Sequence, residues 1–372
     1  MNTEIQGTVA PGFEVVREEF AAIAATEDEP GAQLAVRADG RQVVDLWTGA
    51  GITGDSLHAL YSSGKGAAYL VVALLVQDGV LAIDRAVADY WPEFAAEGKH
   101  AITLRELLTH SAGLIGVDGG FSTEELADDR VLAERLAGRR PYWRPGTAYG
   151  YHAFVIGALA GEVVRRVTGQ SIQGLYRQRV RVPYGLDFYL GLPEELEPRY
   201  VPVRPGPDAG GPAPDSLTGI AFNLNAASPT DLVEFANTRS VRAAGPASSG
   251  SVGNARGLAK MYAAIISDVD GREPLLRADI LAEFTKLHSR GVDLVTGERD
   301  HFLLGFEAQG VRYPFLGADA FGHSGAVGAQ AFADPGSGIA YGYTRRRFSA
   351  GGGGGARENH RLAAAVLRAA TR

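Results

Sequence analysis

The 372-residue sequence contains no cysteine, two methionines and four lysines. The absence of cysteine excludes disulfide bonds, thiol catalysis and cysteine-ligated metal sites. A catalytic nucleophile must therefore be an oxygen or a nitrogen atom. Because arginine supplies most of the 36 basic residues, each lysine can be considered individually, and Lys65 is the one whose surroundings suggest chemistry.

Long apolar segments and excess positive charge are also missing. The longest apolar run, residues 69–76, is far shorter than the roughly 20 residues of a membrane-spanning helix. The amino-terminal segment lacks the pattern of a secretory signal. The formal net charge of -7 disfavours nucleic acid and anionic membranes as partners. We therefore expect a cytoplasmic protein that acts on a small molecule, and the sequence does not indicate its oligomeric state.

Hydrophobic periodicity predicts strands near both ends of the chain and helices between them. A first helix is predicted at residues 14–26 and a hairpin at residues 33–48, with its turn at 38–40. Later helices are predicted at residues 65–77, 104–108, 122–136, 153–168, 230–238, 255–268 and 358–370. Later strands are predicted at residues 302–310, 328–333 and 339–345.

This order of elements predicts a composite sheet with a helical region inserted into it. Residues 1–55 and 300–372 would form an α/β domain, and residues 56–299 a mainly helical domain, with the active site in the cleft between them. The proline-rich stretch 194–215 is expected to be an irregular surface loop. The run of glycines at 351–355 follows no helix-opening signature, so it is interpreted as a flexible loop and not as a phosphate cradle.

The strongest local motif is Ser62-Ser63-Gly64-Lys65, at the point where a loop enters an apolar helix. Side chains at positions i and i+3 of a helix share a face, so the Lys65 amine can reach the Ser62 hydroxyl. A serine hydroxyl becomes a good nucleophile when a nearby base takes its proton, and burial favours the neutral, basic form of lysine. The N–H groups at the helix start suit a developing oxyanion.

Because such a motif also arises by chance, its companions decide its meaning. Tyr151 stands at the start of another apolar helix, shortly after the Pro-Gly-Thr segment 145–147, although an isolated tyrosine is more often a packed aromatic. The segment 321–325, Phe-Gly-His-Ser-Gly, precedes a strand of small residues that would let a substrate lie against the backbone. His110 is expected to be structural. No histidine cluster indicates a zinc site, and we predict no metal and no cofactor.

Together these segments resemble the S-x-x-K serine hydrolases, the superfamily of class C β-lactamases, D-alanyl-D-alanine peptidases and family VIII carboxylesterases. The resemblance runs through residues 60–84, 102–114, 145–169, 248–262 and 321–335. It implies an α+β fold of the β-lactamase type, an α-β sandwich whose antiparallel sheet is built from the terminal segments and flanked by helices.

The resemblance also implies roles for individual residues. Ser62 would be the nucleophile, Lys65 its helper, and Tyr151 the general base, kept partly phenolate by Lys65, that later protonates the leaving group. The backbone N–H groups of Ser62 and Ala326 would form the oxyanion hole. The resemblance further implies a set of substrate-binding residues: His323, Ser324, Gly325 and His152.

Two departures from the β-lactamase branch favour an esterase. That branch has asparagine two residues after its tyrosine, where this chain has Ala153. The lysine of its lysine-threonine-glycine element is His323 here, which is similar to the esterase pattern. Both changes remove groups that would hold a β-lactam amide or a substrate carboxylate. The implied activity is therefore a serine carboxylesterase that hydrolyses short-chain acyl esters.

Other interpretations stay open on the sequence alone. Acyl transfer to an alcohol or amine needs the same residues and differs only in the acceptor. β-Lactamase or D-amino peptidase activity is disfavoured by Ala153 and His323. A non-catalytic binding protein of this fold is disfavoured by the intact set of Ser62, Lys65 and Tyr151.

Overall fold

The computed structural model describes residues 4–207, 210–349 and 356–371. Its strands within these residues are β1 Gln6–Val9, β2 Ala32–Ala38, β3 Arg41–Thr48, β4 His58–Ala59, β5 Phe188–Tyr189, β6 Val252–Gly253, β7 Glu307–Ala308, β8 Phe321–Ser324, β9 Gln330–Asp334 and β10 Ile339–Arg345. Its α-helices are α1 Glu14–Ala24, α2 Lys65–Gln77, α3 Leu104–Leu108, α4 Thr123–Leu126, α5 Asp129–Ala137, α6 Ile156–Thr168, α7 Ile172–Tyr176, α8 Val182–Tyr184, α9 Leu217–Ala221, α10 Leu232–Asn237, α11 Arg239–Ala244, α12 Ala255–Ile266, α13 Ala278–Phe284, α14 Gln309–Arg312 and α15 Arg357–Ala370.

Strand pairing confirms the predicted composite antiparallel sheet. Within the described residues its order is β1-β3-β2-β10-β9-β8-β7. The two ends of the chain meet where β2 pairs with β10, with Ala32 opposite Arg345. The predicted hairpin of β2 and β3 turns at Asp39 and Gly40. Both residues have positive φ, as a two-residue hairpin turn of type I′ requires.

Helices cover both faces of this sheet. Alternate residues of a strand point to opposite faces, and on one face Phe20 of α1 and Leu362 of α15 share an apolar cluster with Leu34 and Tyr341. On the other face α12 lies close against β10. A Cβ atom at Gly342 would come within 2.4 Å of the Ala255 carbonyl oxygen, so this approach depends on the missing side chain.

The helical part of the chain surrounds α2. Its residues from Lys65 to Leu75 are buried on every side of the helix, as expected for a helix that is apolar around its whole circumference. A second small sheet of order β4-β6-β5, which periodicity did not predict because each strand has two residues, holds the chain just before α2. There Ala59 pairs with Val252, which also pairs with Tyr189.

Two predicted elements are wrong in their extent. The single helix predicted at 122–136 is two helices, α4 and α5, because the Asp128 side chain accepts the N–H groups of Arg130 and Val131 and starts a new helix. The strand predicted at 302–310 is reduced to β7. The preceding turn contains Gly305 at φ 90°, where a Cβ would lie 2.6 Å from the Tyr69 ring, and α14 follows directly.

Other predicted elements are confirmed with shifted ends. Helix α6 begins three residues later than predicted. Strand β9 begins two residues later than predicted, because Gly328 has φ 106° and turns the chain before the strand. The stretch 194–215 contains a short 3-10 helix, Glu194–Arg199. The predicted glycine loop at 351–355 lies outside the described residues, and the predicted domain boundaries stay a prediction.

Neither a membrane span nor a metal site is found in the described ranges. No helix there combines the length and the apolar character that crossing a bilayer requires. No group of three or more histidine or carboxylate side chains there is arranged to hold a metal ion. The location expected from the sequence stays a prediction.

Candidate active site

Ser62 lies in a 3-10 turn, Tyr61–Gly64, that runs directly into α2. The turn is held from outside: the Tyr61 hydroxyl donates to the Leu232 carbonyl at 2.8 Å, and the Ser251 hydroxyl donates to the Tyr61 carbonyl at 2.9 Å. Tyr61 itself has φ 47°, and this backbone conformation is strained for a bulky residue. These contacts fix Ser62 at the helix start, where it is half-buried.

Lys65 is fully buried one turn further along, and its amine is surrounded by acceptors. Lys65 Nζ lies 2.9 Å from Ser62 Oγ, and it donates to the carbonyl oxygens of Ala153 and Ser248, each at 2.7 Å. Burial lowers the pKa of the amine well below its ordinary value, although Glu307 acts in the opposite direction. A neutral amine fits this arrangement, because its two hydrogens satisfy the carbonyls and its lone pair faces the Ser62 hydroxyl.

Tyr151 approaches Ser62 from the segment before α6. Its phenol donates to Ser62 Oγ at 2.7 Å, and its ring stacks on Phe302 with 5.6 Å between the ring centroids. Lys65 Nζ lies 4.9 Å from the centre of the Tyr151 ring. Burial raises the pKa of the Tyr151 phenol well above its ordinary value, while the hydrogen bond with Ser62 lowers it less. The direction of this shift and the phenol's role as hydrogen-bond donor to Ser62 favour a protonated phenol at rest, and they disfavour the partial phenolate expected from the sequence.

Two residues that sequence analysis did not assign to the site hold the Tyr151 segment in place. The Asp293 carboxylate accepts the backbone N–H of Tyr151 at 3.2 Å, together with those of Val295 and Thr296. The His110 Nδ1 atom accepts the backbone N–H of His152 at 3.0 Å. His110 is thus structural, as predicted. No local pattern pointed to Asp293, because 142 residues separate it from Tyr151.

His152 does not face a substrate. Its side chain is fully buried, its Nε2 accepts the Leu114 N–H at 3.1 Å, and its Nδ1 lies 2.7 Å from the Gly150 carbonyl. Both ring nitrogens are therefore occupied by backbone groups. The substrate-binding role suggested for His152 conflicts with this geometry, and the residue positions the segment that carries Tyr151.

The segment 323–326 brings β8 alongside the nucleophile turn. A Cβ at Gly325 would lie 2.2 Å from the Leu60 carbonyl oxygen, so only glycine allows this approach. The Ala326 N–H has no acceptor among the described residues, and Ala326 lines the same cavity as Ser62. This arrangement is compatible with the predicted oxyanion role, which stays a prediction.

His323 and Ser324 contact a buried carboxylate that sequence analysis missed. Glu307 Oε2 accepts the Ser324 N–H at 2.9 Å, and Glu307 Oε1 accepts the Ser324 hydroxyl at 2.7 Å. His323 Nδ1 lies 2.8 Å from the Ser324 carbonyl and 3.3 Å from Glu307 Oε1. Burial lowers the pKa of the His323 imidazole to about 4, so the ring is neutral at pH 7.

A narrow cavity of about 20 Å³ opens beside Ser62. That volume is enough for about one water molecule. The cavity is largely apolar, and its lining is formed by Tyr61, Ser62, Ala153, Phe154, Phe222, Leu232, Ser249 and Ala326. Tyr151 and Lys65 do not belong to this lining.

Comparisons with known proteins extend over nearly the whole chain. The model of the β-lactamase family matches residues 16–365. The chain is similar to the esterase/β-lactamase LipL of Mycobacterium tuberculosis, with 29% identity over 364 residues, 92% of this chain and 82% of LipL. The solved structure of EstA from Arthrobacter nitroguajacolicus Rue61a is 39% identical with a TM-score of 0.92, covering 100% of this chain and 99% of that one. A family VIII carboxylesterase structure is 36% identical with a TM-score of 0.89, covering 98% of this chain and 100% of that one.

Proposed function

The chain belongs to the β-lactamase family, and from that premise we propose that it is a serine carboxylesterase that hydrolyses short-chain acyl esters through an acyl-enzyme on Ser62. One observation carries the proposal: the amine of Lys65 and the phenol of Tyr151 both reach Ser62 Oγ, at 2.9 Å and 2.7 Å. Relatives named as esterases support the ester as substrate.

Acylation begins with proton transfer from Ser62 to the neutral Lys65 amine as Oγ bonds to the ester carbonyl carbon. Negative charge develops on the carbonyl oxygen, where the N–H groups of Ser62 and Ala326 would stabilise it. The bond to the alcohol then breaks, and the Tyr151 phenol gives its proton to the leaving oxygen. The Lys65 ammonium restores that proton to Tyr151.

Deacylation repeats these steps with water as the attacking group. Tyr151 and Lys65 together accept a proton from water as its oxygen bonds to the acyl carbon. The bond between the acyl carbon and Ser62 Oγ then breaks, and the serine oxygen takes the proton back. Each group ends in the state in which it began, so no cofactor is required by this scheme.

The groups around the site favour an ester over a substrate with an anchoring carboxylate. His323 stands where the β-lactamase branch has lysine, and burial keeps its pKa near 4, so it carries no fixed charge at pH 7. Ala153 lacks the amide that the same branch has at this position, and its carbonyl accepts a hydrogen bond from Lys65. A simple acyl ester needs neither group.

The test compares two adjacent serines. Ser62→Ala should lower kcat/KM for phenyl acetate by at least about 10³-fold and abolish labelling by a fluorophosphonate. Ser63→Ala is the matched control, because the Ser63 hydroxyl is buried without a hydrogen-bond partner in the described structure; it should leave both readouts unchanged. Wild-type turnover by Ser62→Ala, or nitrocefin hydrolysis as fast as that of phenyl acetate, would refute the proposal.

A further inference from the structure

The cavity beside Ser62 contains one buried hydroxyl without a partner, that of Ser249. Ser249 is 8% exposed, and its Oγ has no hydrogen-bond partner among the described residues. The neighbouring serines differ: the Ser248 hydroxyl accepts the Gly157 N–H at 2.7 Å, and the Ser251 hydroxyl donates to the Tyr61 carbonyl at 2.9 Å. A buried polar group without a partner is unfavourable, so Ser249 is a group that a bound ligand can satisfy.

The rest of the cavity lining has few other groups that could form a hydrogen bond with a polar atom of the ligand. Phe154, Phe222 and Leu232 present apolar surface, and the Tyr61 hydroxyl is already bonded to the Leu232 carbonyl. Apart from the nucleophile, Ser249 is therefore the residue of this lining whose hydroxyl has no hydrogen-bond partner among the described residues. One polar group in an apolar pocket is the usual means of selecting one ligand orientation.

The position of the cavity indicates which part of the ester enters it. In the proposed function, the leaving alcohol must lie within reach of the Tyr151 phenol. Ser62 lines the cavity and Tyr151 does not, so the cavity receives the acyl side of the ester. Its volume of about 20 Å³ holds about one water-sized group, such as a single oxygen atom on carbon 2 of the acyl chain.

We propose that Ser249 is a specificity-determining residue that hydrogen-bonds an oxygen on carbon 2 of a short acyl chain. The favoured substrates would then be esters of small 2-alkoxy or 2-hydroxy acids. This inference rests on the proposed function, since it names the acyl class taken by the same site. The bond is made to the substrate and needs no change in the chemistry at Ser62.

The experiment uses two esters of equal shape, phenyl methoxyacetate and phenyl butyrate, which differ by an ether oxygen in place of a methylene group. The ratio of their kcat/KM values is measured for the wild-type protein and for Ser249→Ala. Dividing one ratio by the other cancels the intrinsic reactivity of the esters. One neutral hydrogen bond corresponds to a quotient of about 3 to 10, and Ser249→Cys, which keeps the side-chain size, should show a similar loss.

Ser63→Ala is again the matched control, because its hydroxyl is equally buried and unpartnered but does not line the cavity; its quotient should be one. A quotient within twofold of one for both Ser249 variants, with hydrolysis of both esters retained, would overturn the inference and leave the proposed function intact. Failure of the wild-type protein to hydrolyse any ester or to react with a fluorophosphonate would overturn both.

Discussion

Two groups of buried ionisable side chains lie on either side of His323. The side chains of the first group are neutral at rest, whereas those of the second group are charged. On one side, Lys65 and Tyr151 are bonded to carbonyl oxygens and a hydroxyl. On the other side lies the Glu307 cluster, which we define as Glu298, His301, Glu307 and Arg312. Here His301 Nδ1 lies 2.7 Å from Glu298 Oε2, and the Arg312 guanidinium lies 3.8 Å from Glu307 Oε2.

Burial acts on both groups, but the partners decide the result. Burial lowers the pKa of Lys65 and raises that of Tyr151, and their partners carry no opposing full charge close enough to reverse either shift. In the Glu307 cluster, burial raises the pKa of Glu307, yet the Arg312 guanidinium and the charged His301 imidazole act in the opposite direction, and this pKa lies well below its ordinary value. Dipolar partners thus leave groups neutral and able to exchange protons, whereas opposite charges fix their ionisation.

The largest effect should come from putting a permanent charge at position 65. Lys65→Arg keeps a positive group but removes the neutral amine, since arginine stays protonated, so kcat/KM for phenyl acetate should fall by about 10³-fold or more. The control is Lys99→Met, because Lys99 is also fully buried and donates to two carbonyls, those of Ala96 and Arg139, without a hydroxyl partner. Retention of more than a tenth of the activity by Lys65→Arg would mean that a fixed charge suffices.

The second largest effect should be on the stability of the fold, through the charged side chains of the Glu307 cluster. Glu307→Leu removes the more deeply buried of the two carboxylates that pair with His301 and Arg312 and leaves only Glu298. It should lower the free energy of unfolding by about 3–5 kcal/mol, measured by urea denaturation. Asp89→Ala breaks the exposed ion pair with Arg85 and should cost less than about 1 kcal/mol. If the two variants were equally stable, the cluster would not depend on its internal charges.

Removing the phenol should have the third largest effect. Tyr151→Phe keeps the ring that stacks on Phe302 but removes the proton donor for the leaving alcohol, so kcat should fall by about 10²-fold. Tyr149→Phe is a close control, because the Tyr149 hydroxyl donates to the Gly291 carbonyl at 2.8 Å and not to Ser62. A loss of equal size in both variants would assign the effect to packing and not to proton transfer.

Much of the fold was predictable because its elements have a clear period. Helix α2 and strand β10 have the predicted bounds, 65–77 and 339–345. Predictions failed where one residue overrides the period. Asp128 starts a new helix inside an otherwise continuous helical pattern, and Gly305 turns the chain inside an apparent strand because its missing side chain lets the Tyr69 ring lie close.

The site was predictable from local spacing only in part. The three-residue separation of Ser62 and Lys65 predicted their contact, whereas the contact of Tyr151 with Ser62 across 89 residues was available only from the resemblance. Glu307 and Asp293 were missed, because each acts through hydrogen bonds to distant backbone N–H groups that leave no local pattern. Such carboxylates become visible only when the chain is folded.

The smallest effect should come from the electrostatic interaction between the Glu307 cluster and Lys65. Lys65 acts as a base when it is neutral, so kcat/KM should fall with a slope of one as the pH decreases through the pKa of its amine. The negative charge of Glu307 raises that pKa. In Glu307→Gln the charge is lost while an amide oxygen can still accept the Ser324 N–H, so the acid limb should move to lower pH, by roughly half a unit. Asp84→Asn, which changes an exposed carboxylate bonded to Arg105, should leave the limb in place. An unchanged acid limb in Glu307→Gln, or a shift to higher pH, would mean that the Glu307 charge does not act on the group whose protonation abolishes activity.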